Sequence, residues 1–394
     1  MVKNKSDDQK ISIAIMASFI VLTIQYFLLI YFNLIGTAAG SGVQLISKVL
    51  VGVLFLYALP AVLKRSLGKF IGVYFVAILI FLLNYLFFPQ NHFYLKQLIF
   101  PLFGMCLPAF IYTLSLRDFE IFKKVMIKSS YIVFFFGALL GLIIVSGNAT
   151  AGSYSMALSY YMLLPAILFL DSLIDKYSNK ALLFSLISIF VILALGSRGA
   201  LLCIVVFIAL KMIRLIFQVS YSKVFYNLLV VVSLVFLSLN LDKLFYMLYE
   251  ILNKYDINSR SIKLFLSGEV HLSGRDYIYE NLIKAVMNNP FLGLGLGADR
   301  RIIGKEGGYA HNFFLEMVVN FGVIAGGIAI LIILFLLVRS LLTKNLNNYF
   351  LIIIWIGLGF VHLMISSSYI TDIKFWILLG LLIKLNLENG ERLT

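Results

Sequence analysis

The chain has 394 residues, of which 62% are hydrophobic and 13% are charged. A soluble globular protein carries about 25% charged residues, so this composition excludes a water-soluble domain and indicates a polytopic membrane protein. The formal net charge of +14 does not indicate nucleic-acid binding, because most Lys and Arg residues lie in short loops between apolar runs, as the positive-inside rule expects.

The apolar runs predict about twelve transmembrane helices, and in lipid such segments must be helical because every backbone polar group needs a nearby partner. The predicted spans are residues 11–36, 43–63, 69–88, 96–116, 125–147, 154–174, 180–196, 199–219, 224–241, 313–338, 348–368 and 373–388. The first run is too long for a signal peptide and is interpreted as a retained span. We therefore expect an all-α fold in which residues 1–394 form a single integral membrane domain.

The loops between the spans predict the orientation. Alternate loops are basic, and the positive-inside rule places them in the cytoplasm together with both termini. The basic loops read KRSLGK, RDFEIFKKVMIK, DKYSNK, KMIRLIFQVSYSK and RSLLTK. The loops between them hold few Lys or Arg residues and are assigned to the outer face. No disulfide or cysteine metal site is expected, because Cys106 and Cys203 both lie within apolar runs.

One polar segment, residues 241–312, is much longer than the other loops and lies on the outer face, where we expect it to fold into short amphipathic helices and to carry the functional site. Ser273 is a candidate N-cap for a helix whose apolar residues share one face, which predicts a helix lying at the membrane interface. These residues are Ile278, Leu282, Ala285 and Val286.

Arg275 lies in the first turn of that helix, where free N–H groups and a guanidinium together would bind an anion such as a phosphate. A solvated arginine is an equally good interpretation of the local sequence. The glycine-rich stretch from Gly293 to Gly297 predicts a tight loop that passes close to another group, such as the substrate. Arg300 and Arg301 follow it as candidate anion contacts or as a basic pair that faces lipid headgroups.

His311 and Asn312 stand at the entrance of the span 313–338. A histidine there is a candidate general base, and the alternative is a polar cap on the helix. Glu316, inside the apolar run, either orients that base or has a buried structural partner. Arg198 lies in a minimal turn at the outer face, against the charge rule, which makes it a candidate functional residue. His362, in the middle of a span, is interpreted as a hydrogen-bonding residue between helices.

The string from Ser273 to Gly327 resembles the signature region of the O-antigen ligase and polymerase superfamily. The resemblance rests on an arginine-bearing helix followed by Pro-x-x-Gly-x-Gly, on a later His-Asn at a helix entrance, and on an upstream Ser-Arg-Gly at residues 197–199. It implies a GT-C-like, inverting, metal-independent membrane glycosyltransferase without a cofactor. By position, His311 would activate the acceptor hydroxyl, and Arg198 and Arg275 would bind the diphosphate.

The resemblance implies a polyprenyl-diphosphate-linked oligosaccharide as donor and acceptor, in the outer leaflet of a lipid bilayer. Arg300, Arg301, Asn312 and Glu316 are the candidate substrate-binding residues, no metal is expected, and a chain-length regulator protein is a further candidate partner. We favour a polymerase over a ligase that transfers the finished chain to a separate acceptor. A lipid-linked oligosaccharide flippase is the alternative from another class, although the polar residues are concentrated in one asymmetric outer loop.

Overall fold

The computed structural model describes residues 2–145, 156–195, 197–216, 241–254, 266, 275–304 and 308–391. These residues form helices and loops without a β-strand, and seven of the helices are long and apolar enough to cross a membrane, which confirms an all-α polytopic membrane fold. The seven are Lys5–Tyr31, Ala38–Phe87, Pro89–Ser115, Phe119–Ile143, Leu158–Asp175, Phe313–Leu341 and Leu346–Ile365. The total of twelve stays a prediction, since nearly all of the predicted span 224–241 lies outside the described residues.

Up to residue 216 the described helices alternate with short connections. They are α1 (Val2–Tyr31), α2 (Ala38–Phe87), a 3₁₀ turn (Pro89–Asn91), α3 (His92–Ile99), a π-helical segment (Phe100–Cys106), α4 (Leu107–Ser115), α5 (Phe119–Val145), α6 (Met156–Asp175), α7 (Asn179–Ala194) and α8 (Arg198–Ile216). The later helices are α9 (Leu241–Lys254), α10 (Arg275–Asn288), α11 (Ala298–Ile303), α12 (Phe313–Leu341), α13 (Leu346–Trp355), a π-helical segment (Ile356–Val361), α14 (His362–Ile365) and α15 (Ile373–Glu391).

Helix α2 contains the predicted span 43–63 and all but the last residue of the predicted span 69–88. Its 50 residues would extend ~75 Å as a straight helix, far more than the ~30 Å of a bilayer core. The backbone leaves the helical region at Ser66, within the basic KRSLGK sequence between the two predicted spans. Arg65 beside it donates to the buried Asp8 carboxylate at 2.8 Å and to the carbonyl of Ser115 at 3.3 Å. This ion pair fixes the break to the N-terminal helix and to the end of α4.

The described helices pack into two compact units. The first comprises residues 1–17, 51–125 and 272–394, and it contains most of the predicted site residues. In its core α15 packs closely on α4, because Gly380 brings the two backbones together: a Cβ atom there would lie 2.9 Å from the Cβ of Thr113. Fully buried aromatic residues, among them Tyr112 and Trp355, fill the same core.

The second unit comprises residues 18–50 and 126–271, and α6 packs against α7 and α8 within it. Lys211 on α8 is completely buried, and its ammonium group lies 2.5 Å from a carboxylate oxygen of Asp171 and 2.7 Å from one of Asp175. Both carboxylates lie in the last turns of α6. A buried ammonium is tolerated only with such partners, so this cluster ties α8 to the end of α6.

Helix α12 bends sharply at Gly322, where φ is +77° and ψ is 173°. Gly326 lies against the backbone of Met317, nine residues earlier, and a Cβ atom there would come within 2.8 Å of the Met317 carbonyl oxygen. Nine residues of a straight helix span ~13 Å, so the parts before and after Gly322 cross at a steep angle. The part after the bend has 19 residues and alone is long enough to cross the bilayer core.

The bend in α12 leaves backbone N–H and carbonyl groups without a partner in the helix, and the glycine-rich loop after α10 forms hydrogen bonds with them. The pairs are Leu294 N–H to the Val319 carbonyl at 2.8 Å, Gly295 N–H to the Asn320 carbonyl at 3.1 Å, and Val323 N–H to the Pro290 carbonyl at 2.7 Å. A Cβ atom on Gly293 would lie 2.3 Å from the backbone nitrogen of Gly322. The sequence predicted a tight loop that passes close to another group, and that group is the broken backbone of α12.

Candidate active site

His311 has a left-handed backbone conformation, with φ of +53°. Among the described residues, three non-glycine residues have positive φ: Asn33, His311 and Ser367. Such a conformation costs about 1–3 kcal/mol and tends to occur at functional sites. The helix cap is Asn312 rather than His311, because the Asn312 side chain accepts the N–H of Leu315 at 3.1 Å. The imidazole of His311 is therefore not used to terminate the helix.

Tyr309 holds the His311 ring in place. The two ring centroids are 4.0 Å apart, and the Tyr309 hydroxyl accepts the backbone N–H of Ser367 at 3.2 Å. The Nδ1 atom of His311 is buried and has no hydrogen-bond partner among the described residues. Two of the three strained non-glycine residues, His311 and Ser367, are thus linked through one tyrosine.

Burial and, to a smaller extent, the positive charge of Arg275 together lower the pKa of His311 from 6.5 to about 4. The ring is consequently neutral at physiological pH, and a neutral imidazole has one nitrogen that accepts a proton. The positive charge of Arg275 that disfavours the protonated His311 ring would also attract an anionic group to the same place. The pair can hold a negative group next to a neutral base.

Arg275 is the first residue of α10 and is partly buried. Its guanidinium donates a hydrogen bond to the carbonyl of Ile365, the last residue of α14. This bond uses one of the five N–H donors of a guanidinium and fixes the direction of the side chain. The anchored arginine is thus held at a helix N-terminus, as the sequence predicted for an anion contact.

A buried network of four side chains lies next to His311. The Arg300 guanidinium is 3.2 Å from an oxygen of Asp299, 3.7 Å from Glu316 Oε1, and donates to Ser368 Oγ at 2.9 Å. Glu316 accepts hydrogen bonds from the Ser368 hydroxyl and, at 3.2 Å, from the N–H of Tyr369. Both carboxylates are completely buried, and Arg300 is 7% exposed. Arg300 and Glu316 therefore have partners within the protein, and their contact with substrate stays a prediction.

The charge network contacts the backbone next to His311, the candidate base. Asp299 Oδ2 accepts the N–H of Ala310, the residue before His311, at 3.2 Å. Glu316 lies in the first turn of α12, four residues after Asn312. The segment that carries His311 is thus fixed on both sides by carboxylates of one network.

The loop between α14 and α15 forms part of this region, although no functional role was predicted for it from the sequence. Ser367, Ser368 and Tyr369 contact the residues described above, and Asp372 follows them. Asp372 Oδ2 lies 3.0 Å from Nδ1 of His362 and 4.0 Å from the ammonium of Lys374. Burial raises the pKa of Asp372, but Lys374 and His362 together hold it below its usual range. The sequence carried no specific signal for this loop.

Arg301 contacts a different part of the first unit. Its Nε donates to Asn91 Oδ1 at 2.8 Å, and the Asn91 amide donates to the Leu294 carbonyl at 2.8 Å. A Cβ atom on Gly295 would lie within 3.0 Å of the same Asn91 side chain. Arg301 of α11 and the glycine-rich loop are thus both bonded to Asn91 in the short turn between α2 and α3. Whether it also contacts an anion stays a prediction.

The apolar face predicted for residues 275–288 packs on protein. Leu282 is completely buried in a cluster with Ala298, Ala310 and Val319, against which Ile278 and Val286 also pack. The helix itself is confirmed as α10, although its candidate cap Ser273 lies outside the described residues. The apolar face thus supports the site, and the position of the helix at the membrane interface stays a prediction.

Arg198 is the first residue of α8 and belongs to the second compact unit. Its assignment as a diphosphate contact stays a prediction. Within the described residues, no three His, Cys, Asp or Glu side chains lie close enough together to hold a metal ion.

The protein is thus a multi-pass membrane protein with a neutral histidine, an anchored arginine and a buried charge network at one site. Residues 183–330 match the family described as O-antigen ligase, and this match confirms the resemblance to the O-antigen ligase and polymerase superfamily. The matched range contains Arg198, Arg275 and His311. No curated protein matches the chain.

Proposed function

We propose that the protein is a polysaccharide polymerase that joins lipid-linked oligosaccharide repeat units into O-antigen or into a capsular or exopolysaccharide. The reaction would take place at the outer face of a bacterial cytoplasmic membrane, with both termini of the chain in the cytoplasm. The observation that carries this proposal is the neutral, strained His311 beside the anchored guanidinium of Arg275. The family match supports the wider activity class of polymerases and ligases.

The chemistry of the proposed reaction uses these two residues in complementary ways. The acceptor hydroxyl attacks the anomeric carbon of the donor sugar on the face opposite to the diphosphate, and the configuration is inverted. His311 takes the proton of the hydroxyl as the new glycosidic bond forms and the bond to the polyprenyl diphosphate breaks. A positioned base of this kind contributes about 10²–10⁴-fold to a rate.

Arginine charge assists the departure of the diphosphate. Negative charge grows on the leaving oxygen, and a guanidinium already held in place stabilises it without reorganisation. Arg275 is held by the Ile365 carbonyl, and Arg198 is proposed as the second contact. Because diphosphate is a good leaving group, the proposed mechanism uses neither a metal nor another cofactor.

Arg300, Arg301, Asn312 and Glu316 complete the proposed binding site for the donor and acceptor chains. Asn312 directly follows His311 in the chain, and its helix cap uses only the Oδ1 atom, which leaves the side-chain N–H groups outside the cap. A protein that regulates chain length is proposed as a partner, and no surface of this chain is assigned to it. The description of the matching family favours a second candidate, a ligase that transfers the finished chain to a separate acceptor.

Purified protein supplied with a lipid-diphosphate-linked repeat unit in excess EDTA tests the proposal. A ladder of products that rises in steps of one repeat unit is the result expected for a metal-independent polymerase. No ladder without an added acceptor, and transfer of a whole chain when such an acceptor is present, would replace the polymerase with the ligase. A ladder that requires a divalent cation would contradict the metal-independent mechanism.

A further inference from the structure

The surface next to the bend in α12 carries apolar side chains that no other part of the described structure covers. Phe291 and Leu292 are 68% and 85% exposed, and they lie at the tip of the glycine-rich loop. Ile283 and Met287 of α10 are 44% and 73% exposed and precede the loop. These four residues are called the loop patch below. They lie outside the buried face of α10 that supports the site.

The membrane level of the loop patch follows from the backbone of α12. Residues 323–338 are all apolar or glycine, whereas Glu316 and Asn320 precede the bend. From Gly322 to Arg339 the helix covers 17 steps, or ~26 Å, close to the thickness of a hydrocarbon core. The bend therefore marks the outer boundary of the hydrocarbon, and Arg339 marks the inner one.

The end of helix α2 independently indicates that the loop patch lies at the boundary of the hydrocarbon. The side chain of Phe88 follows the end of α2 and lies against Gly295, where a Cβ atom would come within 2.5 Å of its ring. Phe87, with 71% of its surface exposed, is the last residue of this apolar helix. The ends of two different spans thus meet the glycine-rich loop.

The loop patch is continuous with the lipid-facing surface of α12. The N–H of Val323 donates to the carbonyl of Pro290, which directly precedes Phe291. Val323 and Ile324 are 51% and 57% exposed at the start of the apolar stretch. An apolar surface that starts at the hydrocarbon boundary and continues along a membrane span has the acyl chains of the outer leaflet as its neighbour.

From this placement we infer that the loop patch is inserted into the outer leaflet, so that lipid acyl chains are its partner. The two exposed residues Phe291 and Leu292 anchor the loop in the lipid. The hydrogen bonds between this loop and the bend of α12 then fix the depth of α10 relative to the membrane. Arg275 at the start of α10 and His311 before α12 are consequently held at a fixed height above the hydrocarbon. The inference takes only the orientation of the chain from the proposed function, and otherwise rests on membrane geometry.

Site-directed spin labelling tests the inference directly. A nitroxide at Leu292→Cys is compared, in liposomes, with one at Lys284→Cys on the exposed side of α10 and one at Ile328→Cys within the span. Cys106 and Cys203 are buried, so that labelling is confined to the introduced thiol. The side chain of Lys284 is 67% exposed and paired with Glu280, which makes it a matched surface control.

Collision with oxygen, which concentrates in lipid, and with a water-soluble nickel chelate reports the depth of each label. We expect the label at residue 292 to collide with oxygen more than with nickel, as at residue 328, and the label at residue 284 to show the reverse. Nickel access at residue 292 equal to that at residue 284 would overturn the inference. Protection from both reagents would also overturn it, because a protein partner would then cover the patch. Phe291→Cys repeats the measurement should the first variant fail to fold.

Discussion

Asp299 accepts a hydrogen bond from the backbone N–H of Ala310, with 3.2 Å between its Oδ2 and the nitrogen, and Ala310 directly precedes His311. The same carboxylate neutralises Arg300, whose guanidinium also bonds to Ser368. A buried charge network and the conformation of the proposed base are therefore parts of one structure.

Replacing Asp299 by Ala should destabilise the protein and reduce its activity. The variant leaves Arg300 with Glu316 as its remaining carboxylate partner and frees the N–H of Ala310. Removing one partner of a buried ion pair costs about 3–5 kcal/mol. The thermal midpoint in detergent measures the change, with Lys284→Ala as a control at an exposed ion pair. An unchanged midpoint for Asp299→Ala would show that the network does not hold this segment.

The acid limb of the pH–rate profile should depend on the charge at residue 275. The pKa of His311 is about 4 in the folded protein, so the neutral base is present above that pH and is lost as the pH falls through it. Arg275→Gln removes one cause of the lowered pKa, and the limb should move towards higher pH. Burial is the larger cause and stays in place, so the limb should remain below 6.5.

Arg275→Lys is the matched control for this shift. It keeps the positive charge, so the acid limb should stay where it is in the wild type, but it loses the planar fork and should lower the rate. Rates measured between pH 3.5 and 8 at saturating donor separate the two effects. Identical limbs for the Gln and wild-type proteins would remove Arg275 from the electrostatic environment of the base.

Gly322→Ala should destabilise the protein, whereas Gly327→Ala should be neutral or stabilising. At Gly322, φ of +77° with ψ of 173° is a conformation that is essentially restricted to glycine, and a Cβ atom would lie 2.2 Å from the Phe291 carbonyl oxygen. The expected cost is at least ~1–3 kcal/mol. A Cβ atom at Gly327 meets no other atom within 4 Å, and alanine favours the helix by up to ~1 kcal/mol. Equal thermal midpoints for the two variants would contradict the bend.

Tyr309→Phe should lower the turnover number while it leaves the affinity for the donor largely unchanged. The ring that contacts His311 is kept, but the oxygen that accepts the N–H of Ser367 is lost. An unsatisfied N–H costs about 1–3 kcal/mol, and the loop would rearrange to avoid it. Steady-state kinetics with varied donor checks this, and Tyr277→Phe on the exposed surface is the control. A change in KM alone would indicate that Tyr309 contacts the donor rather than positions the base.

Several elements could be predicted from the sequence because their signals are local. The long apolar runs predicted the spans, and the spacing of Ile278, Leu282 and Val286 predicted the helix and its buried face. What covers that face could not be predicted, because periodicity distinguishes an apolar face from a polar one but not lipid from protein. The glycine-rich sequence predicted a close approach, but its partner, the bend at Gly322, lies 25 or more residues away along the chain.

The candidate site was predicted in part. His311 was singled out as a candidate base at a helix entrance and Arg275 as an anion contact at a helix N-terminus, and both are local features of the sequence. Tyr309, Ser367 and Ser368 were not, because they contact the site through long-range backbone and hydroxyl hydrogen bonds that leave no pattern in the sequence. Glu316 was identified as costly within an apolar run, and its partners became evident only when Arg300 and the loop between α14 and α15 were placed beside it.

The most direct measurement for the central proposal compares the rate of sugar transfer from a lipid-diphosphate donor by the wild type and by His311→Ala, both in liposomes at pH 7.5. Donor binding is measured separately on the same preparations. If His311 is the base, the rate should fall about 10²–10⁴-fold while donor binding and the thermal midpoint stay close to those of the wild type. Equal rates in the two proteins would contradict the assignment of His311 as the group that activates the acceptor.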